Sequence, residues 1–251
     1  MRLLLMQIRH SPEVRQEERD SFVRYCRIDA SELDVLNVFD TPRFGPEVLN
    51  GYDALLVGGA SEASVLEPEE YPAVPHCIDL LRHCMEVDFP VFASCFGFQL
   101  AVLALGGEII RDQRDFEMGC IPISLRPAAA ADPLFRDTPD GFQAIAVHRE
   151  RAPQCPPGAI ELGYTDPCCH AFRVADRRFW ACQFHPEVDR ATLVSRLSYY
   201  RDSYTEGQEH LQQVLNSAVE TPESNHLMAK FVDRVLRDKA VPSNDNTSID
   251  T

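Results

Sequence analysis

Short apolar runs and stretches of helical periodicity alternate through the first hundred or so residues. Leu3 to Ile8 is almost wholly apolar and reads as a first buried strand. Pro12 to Arg27 is charged and reads as a helix followed by a loop. Leu33 to Phe39 alternates weakly and predicts a second strand. Ala54 to Val57 is apolar and ends on Gly58 and Gly59, as a buried parallel strand entering a tight loop does. From Tyr71 to Glu86, Val74, Ile78, Leu81 and Met85 recur at helical spacing. Val91 to Ser94 predicts another strand, and Phe96 to Leu105 a helix stopped by Gly106 and Gly107. Strands alternating with helices imply an α/β fold, its parallel sheet covered on both faces.

Beyond residue 108 the rhythm changes. Glu108–Arg111, Met118–Leu125, Phe142–Val147, Ile160–Thr165, Ala171–Val174 and Phe179–Phe184 all read as strands, with a hairpin turn around Asp176. They would extend the sheet and add antiparallel pieces. From Arg190 onward the pattern is helical. Thr221 and Pro222 give an N-cap and first-turn signal, and Leu227, Met228, Phe231, Val232, Val235 and Leu236 form one apolar stripe. The expected organisation is a main domain over 1–190, a helical extension over 191–239 packed on it, and a polar, disordered tail over 240–251.

Charge narrows the class of function. A net charge of −15 disfavours a nucleic-acid or anionic-membrane surface. There is no apolar run long enough to span a membrane, and the N-terminus lacks a signal-peptide cleavage site. Nine cysteines, an odd number without a repeating framework, fit reduced thiols in the cytoplasm. Cys168, Cys169 and His170 are adjacent, which is poor geometry for a closed zinc site, so no metal is expected. Cys77, Cys84 and Cys182 sit on apolar faces and read as packing residues.

Cys95 differs from the other thiols. It stands where a buried strand turns into a helix, with Gly97 two residues on. Such a turn projects its side chain above the sheet, and the helix start offers N–H groups and a positive dipole end to a thiolate or an oxyanion. A buried packing cysteine fits that stretch equally well. The later stretch "WACQFHPEVD" delivers His185 at a strand end, then Pro186 and Glu187. Together they offer a thiol, a base and a carboxylate to orient the base.

"VGGASEASV" from Val57, "SCFGFQ" from Ser94 and "FHPEV" from Phe184 occur in the order found in the class I glutamine amidotransferases, and the chain resembles that triad family over roughly residues 1–190. The resemblance implies a flavodoxin-like domain with a mostly parallel central sheet. It implies Cys95 as nucleophile, His185 as base and Glu187 as orienting acid. Gly59 and Phe96 match the oxyanion-hole positions, and Gln99 matches a glutamine that holds the γ-glutamyl part of the substrate. His148 is expected as a loop residue contacting substrate. Departures occur at Ala60, where the family usually has proline, and at Arg149-Glu150, where it often has Gly-Asp. "EMGCIPISL", from Glu117, is similar to the branch containing the amidotransferase domain of GMP synthase. The 60 or so residues that remain are too few for that enzyme's ATP-pyrophosphatase domain, so a free-standing member is expected.

The function so implied is hydrolysis of the glutamine side-chain amide, without a cofactor, with ammonia passing to an acceptor synthase. A γ-glutamyl peptidase or hydrolase needing no synthase is the alternative. A non-catalytic interaction module is a third, disfavoured by the intact triad.

Overall fold

The computed structural model describes residues 1–111, 117–199 and 208–238. Nine strands form one sheet: β1 (Leu3–Gln7), β2 (Leu33–Asn37), β3 (Ala54–Val57), β4 (Val91–Ser94), β6 (Glu117–Leu125), β7 (Phe142–His148), β9 (Ala159–Thr165), β10 (Cys168–Val174) and β11 (Phe179–Cys182). Their order is β2-β1-β3-β4-β11-β10-β9-β6-β7. The first five are parallel, and the rest join antiparallel. β5 (Ile110–Arg111) and β8 (Glu150–Arg151) make a separate two-stranded ribbon. The sequence reading does not include β8, because two charged residues carry no strand periodicity.

The parallel strands are apolar at every position because both faces are covered. Leu4, Met6, Leu55, Val57, Val91 and Ala93 point to one face, beneath α2 (Ala73–Glu86) and α3 (Phe96–Ala104). Leu3, Leu5, Ala54, Leu56 and Phe92 point to the other, where α1 (Pro12–Cys26) and α6 (Pro222–Phe231) lie. On α2, Cys77 and Cys84 are core residues, and burial pushes both thiols up to about 12. Cys182 is fully buried in the opposite core and burial raises it well above its ordinary value.

Three helical elements follow residue 190 among the described residues. α4 (Arg190–Tyr199) and α5 (Gln208–Ser217) cover Ile145 of β7 with Leu193, Leu197 and Val214. α6 places Leu227, Met228 and Phe231 in the same core as Phe92, then loosens into a π-helical stretch, Val232–Arg237. Thr221 sits at the N-cap of α6 as its sequence context suggests, but its hydroxyl makes no capping bond and is buried without a partner among the described residues. Pro222 at the first helical position leaves one fewer N–H to cap. The expected tail, 240–251, lies outside the described residues. No described helix is long and apolar enough to cross a membrane.

Two registers position the site. Cys182, the last residue of β11, stands opposite Ser94, the last of β4. Val57, the last of β3, stands opposite Ala93. Three strands therefore end at one level, and the chain leaves them as Gly58-Gly59, Cys95 and Gln183-Phe184-His185. Gly97 lets α3 descend onto β3, since a Cβ there would meet Val57 Cγ1 at 2.7 Å and its Cβ at 2.8 Å. Gly97→Ala should therefore cost about 1–3 kcal/mol of stability through overpacking. Urea denaturation should show part of that loss recovered when Val57→Ala is added, a coupling absent if the two sites act independently.

Candidate active site

Cys95 leaves β4 with φ 49° and ψ −99°, a conformation a non-glycine residue adopts only under constraint. The constraint is visible. Its N–H donates to the Cys182 carbonyl at 2.8 Å, which extends the β4–β11 pairing by one residue before the helix begins. The following residue, Phe96, opens α3, so its N–H has no acceptor within the helix. The thiol is held at the mouth of a cavity, with the residue only 4% exposed.

His185 reaches the same point from β11. Its N–H donates to the Ile145 carbonyl at 2.8 Å, while Gln183 N–H donates to the His170 carbonyl at 2.8 Å. These bonds anchor the stretch between β7 and β10. His185 Nδ1 lies 2.7 Å from Glu187 Oε1, and the ring stands beside Cys95 beneath Gly59. Burial by itself would lower the His185 pKa, but the Cys95 sulfur and the Glu187 carboxylate outweigh it and raise the pKa to about 10. Burial would raise Glu187, but the charge and hydrogen bond of His185, with Arg196 behind them, lower it to about 2. At neutral pH the imidazole is therefore protonated and the carboxylate ionised.

Gly59 completes the cluster. A Cβ on it would meet His185 Cε1 at 2.8 Å and Cys95 Cβ at 3.5 Å, so only glycine lets the β3 loop close over the thiol and the ring. Next to this cluster opens a cavity of about 390 Å³ lined by Cys95, Phe96, Gln99, His148 and Glu150, large enough for an amino-acid-sized ligand. Gln99 is buried and its Nε2 donates to the Glu150 carbonyl at 2.9 Å, tying α3 to the cavity's far wall. Glu150 Oε1 in turn accepts from Ser64 Oγ at 2.6 Å and Arg111 Nη2 at 2.6 Å.

His148 departs from expectation. It borders the cavity, but it is the last residue of β7 and is buried, not a loop residue. The β6–β7 ladder runs one residue further than the apolar alternation of Phe142 to Val147, pairing His148 with Glu117. His148 Nε2 lies 3.0 Å from Glu117 Oε2, and His170 Nε2 lies 2.8 Å from the same oxygen. Cys168 joins them, so Glu117, His148, Cys168 and His170 each bring one metal-binding atom within 4.8 Å of the others.

Several supporting residues are absent from the sequence reading. Gln183, fully buried, directs Nε2 at Cys95 Sγ from 3.8 Å. Arg9, also buried, pairs with Glu18 Oε1 at 2.9 Å and donates to Ser61 Oγ at 3.0 Å, bracing the loop after Gly59. Arg196 of α4 stands 4.0 Å from Glu187 Oε1 and is itself held by Glu17 at 2.7 Å. Asn225 of α6 donates to the carbonyls of Pro186 at 2.7 Å and Val188 at 3.0 Å, clamping the turn that carries Glu187. A charged residue closing an apolar strand, as in "LLLMQIR", was the one available signal, for Arg9. The others depend on partners more than 80 residues away for Gln183 and more than 30 for Asn225, which no local pattern encodes.

Comparison with known proteins agrees with this geometry. The family model for glutamine amidotransferase class-I matches residues 32–197. The GMP synthase (glutamine-hydrolysing) of Thermotoga maritima is 29% identical over 149 residues, covering 59% of this chain and 27% of that protein. The γ-glutamyl-L-1-hydroxyisopropylamide hydrolase of a Pseudomonas species is 26% identical over 147 residues, covering 56% of this chain and 48% of that protein. The chain thus spans about a quarter of the length of the GMP synthase it matches. Among solved structures, a glutamine amidotransferase from Thermotoga maritima superposes with a TM-score of 0.74 at 20% identity, covering 93% of this chain and 97% of that one. A glutamine amidotransferase from Methylobacillus flagellatus gives 0.69 at 21% identity, covering 93% and 94%. The family match extends over about two thirds of the sequence and includes the elbow, the glycine loop and the His-Pro-Glu turn, so the chain belongs to the class-I glutamine amidotransferase family.

Proposed function

We propose that this protein hydrolyses the side-chain amide of glutamine through a thioester on Cys95 and supplies the ammonia to an acceptor enzyme. The observation that carries the reading is one imidazole, His185, paired through Nδ1 with Glu187 and standing beside Cys95 beneath a glycine loop. The Cys95 sulfur, its proton held by His185, attacks the carboxamide carbon. The N–H groups of Gly59 and Phe96 take up the oxyanion charge. Collapse of the adduct breaks the C–N bond, and His185 gives its proton to the departing ammonia. Thioester formation removes the sulfur's negative charge, one of the two influences that raise His185. Having given its proton to ammonia, the neutral ring accepts one from the water that attacks the thioester and returns it to the departing sulfur, releasing glutamate and restoring the thiol. Gln99 and Glu150 line the same cavity as Cys95, and the amino-acid end of glutamine would lie against them. A cytoplasmic setting would keep its nine unpaired cysteines reduced.

A second reading keeps the same chemistry but takes γ-glutamyl amides as substrate and needs no acceptor. The likeness to a γ-glutamyl amide hydrolase favours it. The hydrogen-bonded Arg111–Glu150 wall of the cavity is compatible with either substrate, because both present the same α-amino and α-carboxylate groups. Assays of the purified chain separate the two. Glutaminase turnover that rises when a synthase is added supports the first, and robust turnover of γ-glutamyl amides alone supports the second.

Cys95→Ala should lower turnover at least a thousandfold while leaving cooperative unfolding intact. His185→Ala should be comparably severe, and Glu187→Gln should retain about a hundredfold more activity than either. Steady-state kinetics on the three variants checks this, and near-native turnover by Cys95→Ala would remove the nucleophile from the mechanism. Gly59→Ala should lose kcat with its fold preserved, since the added methyl meets the His185 ring.

The pH profile has a defined sign. His185 is protonated below its raised pKa of about 10, and its proton is the one given to ammonia, so acylation should fall as pH rises through that value. Glu187→Gln removes one of the raising partners and should shift the alkaline limb of kcat/KM to lower pH. An alkaline limb unmoved by that substitution would show that His185 does not set it.

A further inference from the structure

We infer that Glu117, His148, Cys168 and His170 form a closed four-donor site for a divalent transition metal, with Zn2+ the best match to the donor set. The four donor atoms all lie within 4.8 Å of one another. Three of the separations radiate from one carboxylate oxygen: His170 Nε2 at 2.8 Å, His148 Nε2 at 3.0 Å and Cys168 Sγ at 3.4 Å from Glu117 Oε2. Donor atoms around a tetrahedral zinc stand about 3.3–3.8 Å apart, given Zn–N and Zn–O bonds near 2.0–2.1 Å and a Zn–S bond near 2.3 Å. The two histidine separations from the carboxylate oxygen must open by about half an ångström to reach that spacing, and the separations among the other donors, which run to within 4.8 Å, must close onto it.

Hydrogen bonding alone leaves this cluster poorly satisfied. His148 is buried, with its side chain 1% exposed, yet neither ring nitrogen has a hydrogen-bond partner among the described residues. Its Nε2 is near Glu117 Oε2 but out of line for a hydrogen bond. His170 is fully buried and its Nδ1 is also unpartnered among the described residues. Leaving such groups unmet in an interior is costly, and coordination would give His148 Nε2 a partner, with both Nδ1 atoms still to be met. Charge also balances. One thiolate and one carboxylate against a divalent cation, with two neutral imidazoles, make a neutral centre, the form in which a buried ion is tolerated.

The backbone explains why these side chains converge. β10 carries an irregularity at His170: Cys169 pairs with Tyr164 and Ala171 with the adjacent Gly163, so His170 is the extra residue of a bulge. Bulges re-aim side chains. Here Cys168 and His170 come together, while Cys169 turns to the opposite core. Glu117 and His148 arrive as a directly opposed pair on β6 and β7. The site therefore joins the two ends of the antiparallel half of the sheet, β10 and the β6–β7 ladder, immediately before the Arg149–Glu150 wall of the cavity. All four positions are filled by protein atoms, so the metal is a staple and not a carrier of water.

The test uses the full chain carrying Cys95→Ala, which removes the thiol beside His185. Protein stripped with a chelator, equilibrated with Zn2+ and then dialysed against metal-free buffer should retain an equimolar amount. With Co2+ in place of Zn2+ it should show tetrahedral d–d absorption and a thiolate-to-cobalt charge-transfer band. Free Zn2+ a hundredfold above Kd should raise Tm by about 5–10 °C. Adding Cys168→Ser should abolish the charge-transfer band, and adding His170→Gln should weaken Zn2+ binding at least tenfold. Substoichiometric retention would overturn the proposal. So would equimolar retention that neither substitution alters, because the metal would then lie elsewhere. Should Cys168→Ser fail to fold, His170→Gln decides alone: an unchanged Kd overturns the site and a weakened one supports it.

Discussion

The parallel pairing of β4 with β11 is the constraint on which the site depends. These strands are far apart in sequence but end at the same level, Ser94 against Cys182. One further hydrogen bond, from Cys95 N–H to the Cys182 carbonyl, holds the elbow in its unfavourable backbone conformation. The same level brings His185 to the thiol after only two intervening residues. A shift of one residue in that pairing would reverse every side chain of β11, exchanging Phe179 and Ala181 for Trp180 and Cys182 in the two cores. Core packing therefore fixes the distance between the two reacting groups.

The second constraint is electrostatic. The site buries an imidazole and a carboxylate where each alone would prefer to be neutral. Each stays charged because the other is 2.7 Å away, with Arg196 supplying further positive charge at 4.0 Å from Glu187. Arg196 belongs to α4, and Asn225, which pins the carbonyls on both sides of Glu187, belongs to α6. The helices beyond residue 190 are thus part of the support of the turn bearing Glu187, while their apolar faces cover β7 and the α1 side of the sheet.

The antiparallel half of the sheet does different work. Its strands are only partly apolar, and polar side chains such as His148 and His170 are buried within it. Glu117, His148 and His170 meet there, and His148 also borders the cavity next to Cys95. One side chain therefore connects the reactive pocket to the proposed metal staple. That juxtaposition gives a physical route by which occupancy of the staple would be felt at the cavity wall.

Much of this was legible in the residues themselves. Apolar runs of strand length, helical repeats and glycine punctuation are local, and they gave β1, β3, β4, α2 and α3 nearly to the residue. The elbow was readable because its requirements are local too: a strand, a thiol, a helix start and Gly97. His185 and Glu187 were readable because a single residue, Pro186, separates the ring from its carboxylate. The convergence of His148 with Glu117 and His170 was not readable, nor was the support from Arg9, Gln183, Arg196 and Asn225. Apart from the pairing of Arg9 with Glu18, nine residues on, these contacts join segments 31 residues apart, for Glu117 and His148, up to 179 apart, for Glu17 and Arg196. Such pairings are decided by sheet order, by the bulge at His170 and by the close packing of helices against both faces. The chain's periodicity specifies which side chains are buried, but only the folded sheet specifies which of them meet.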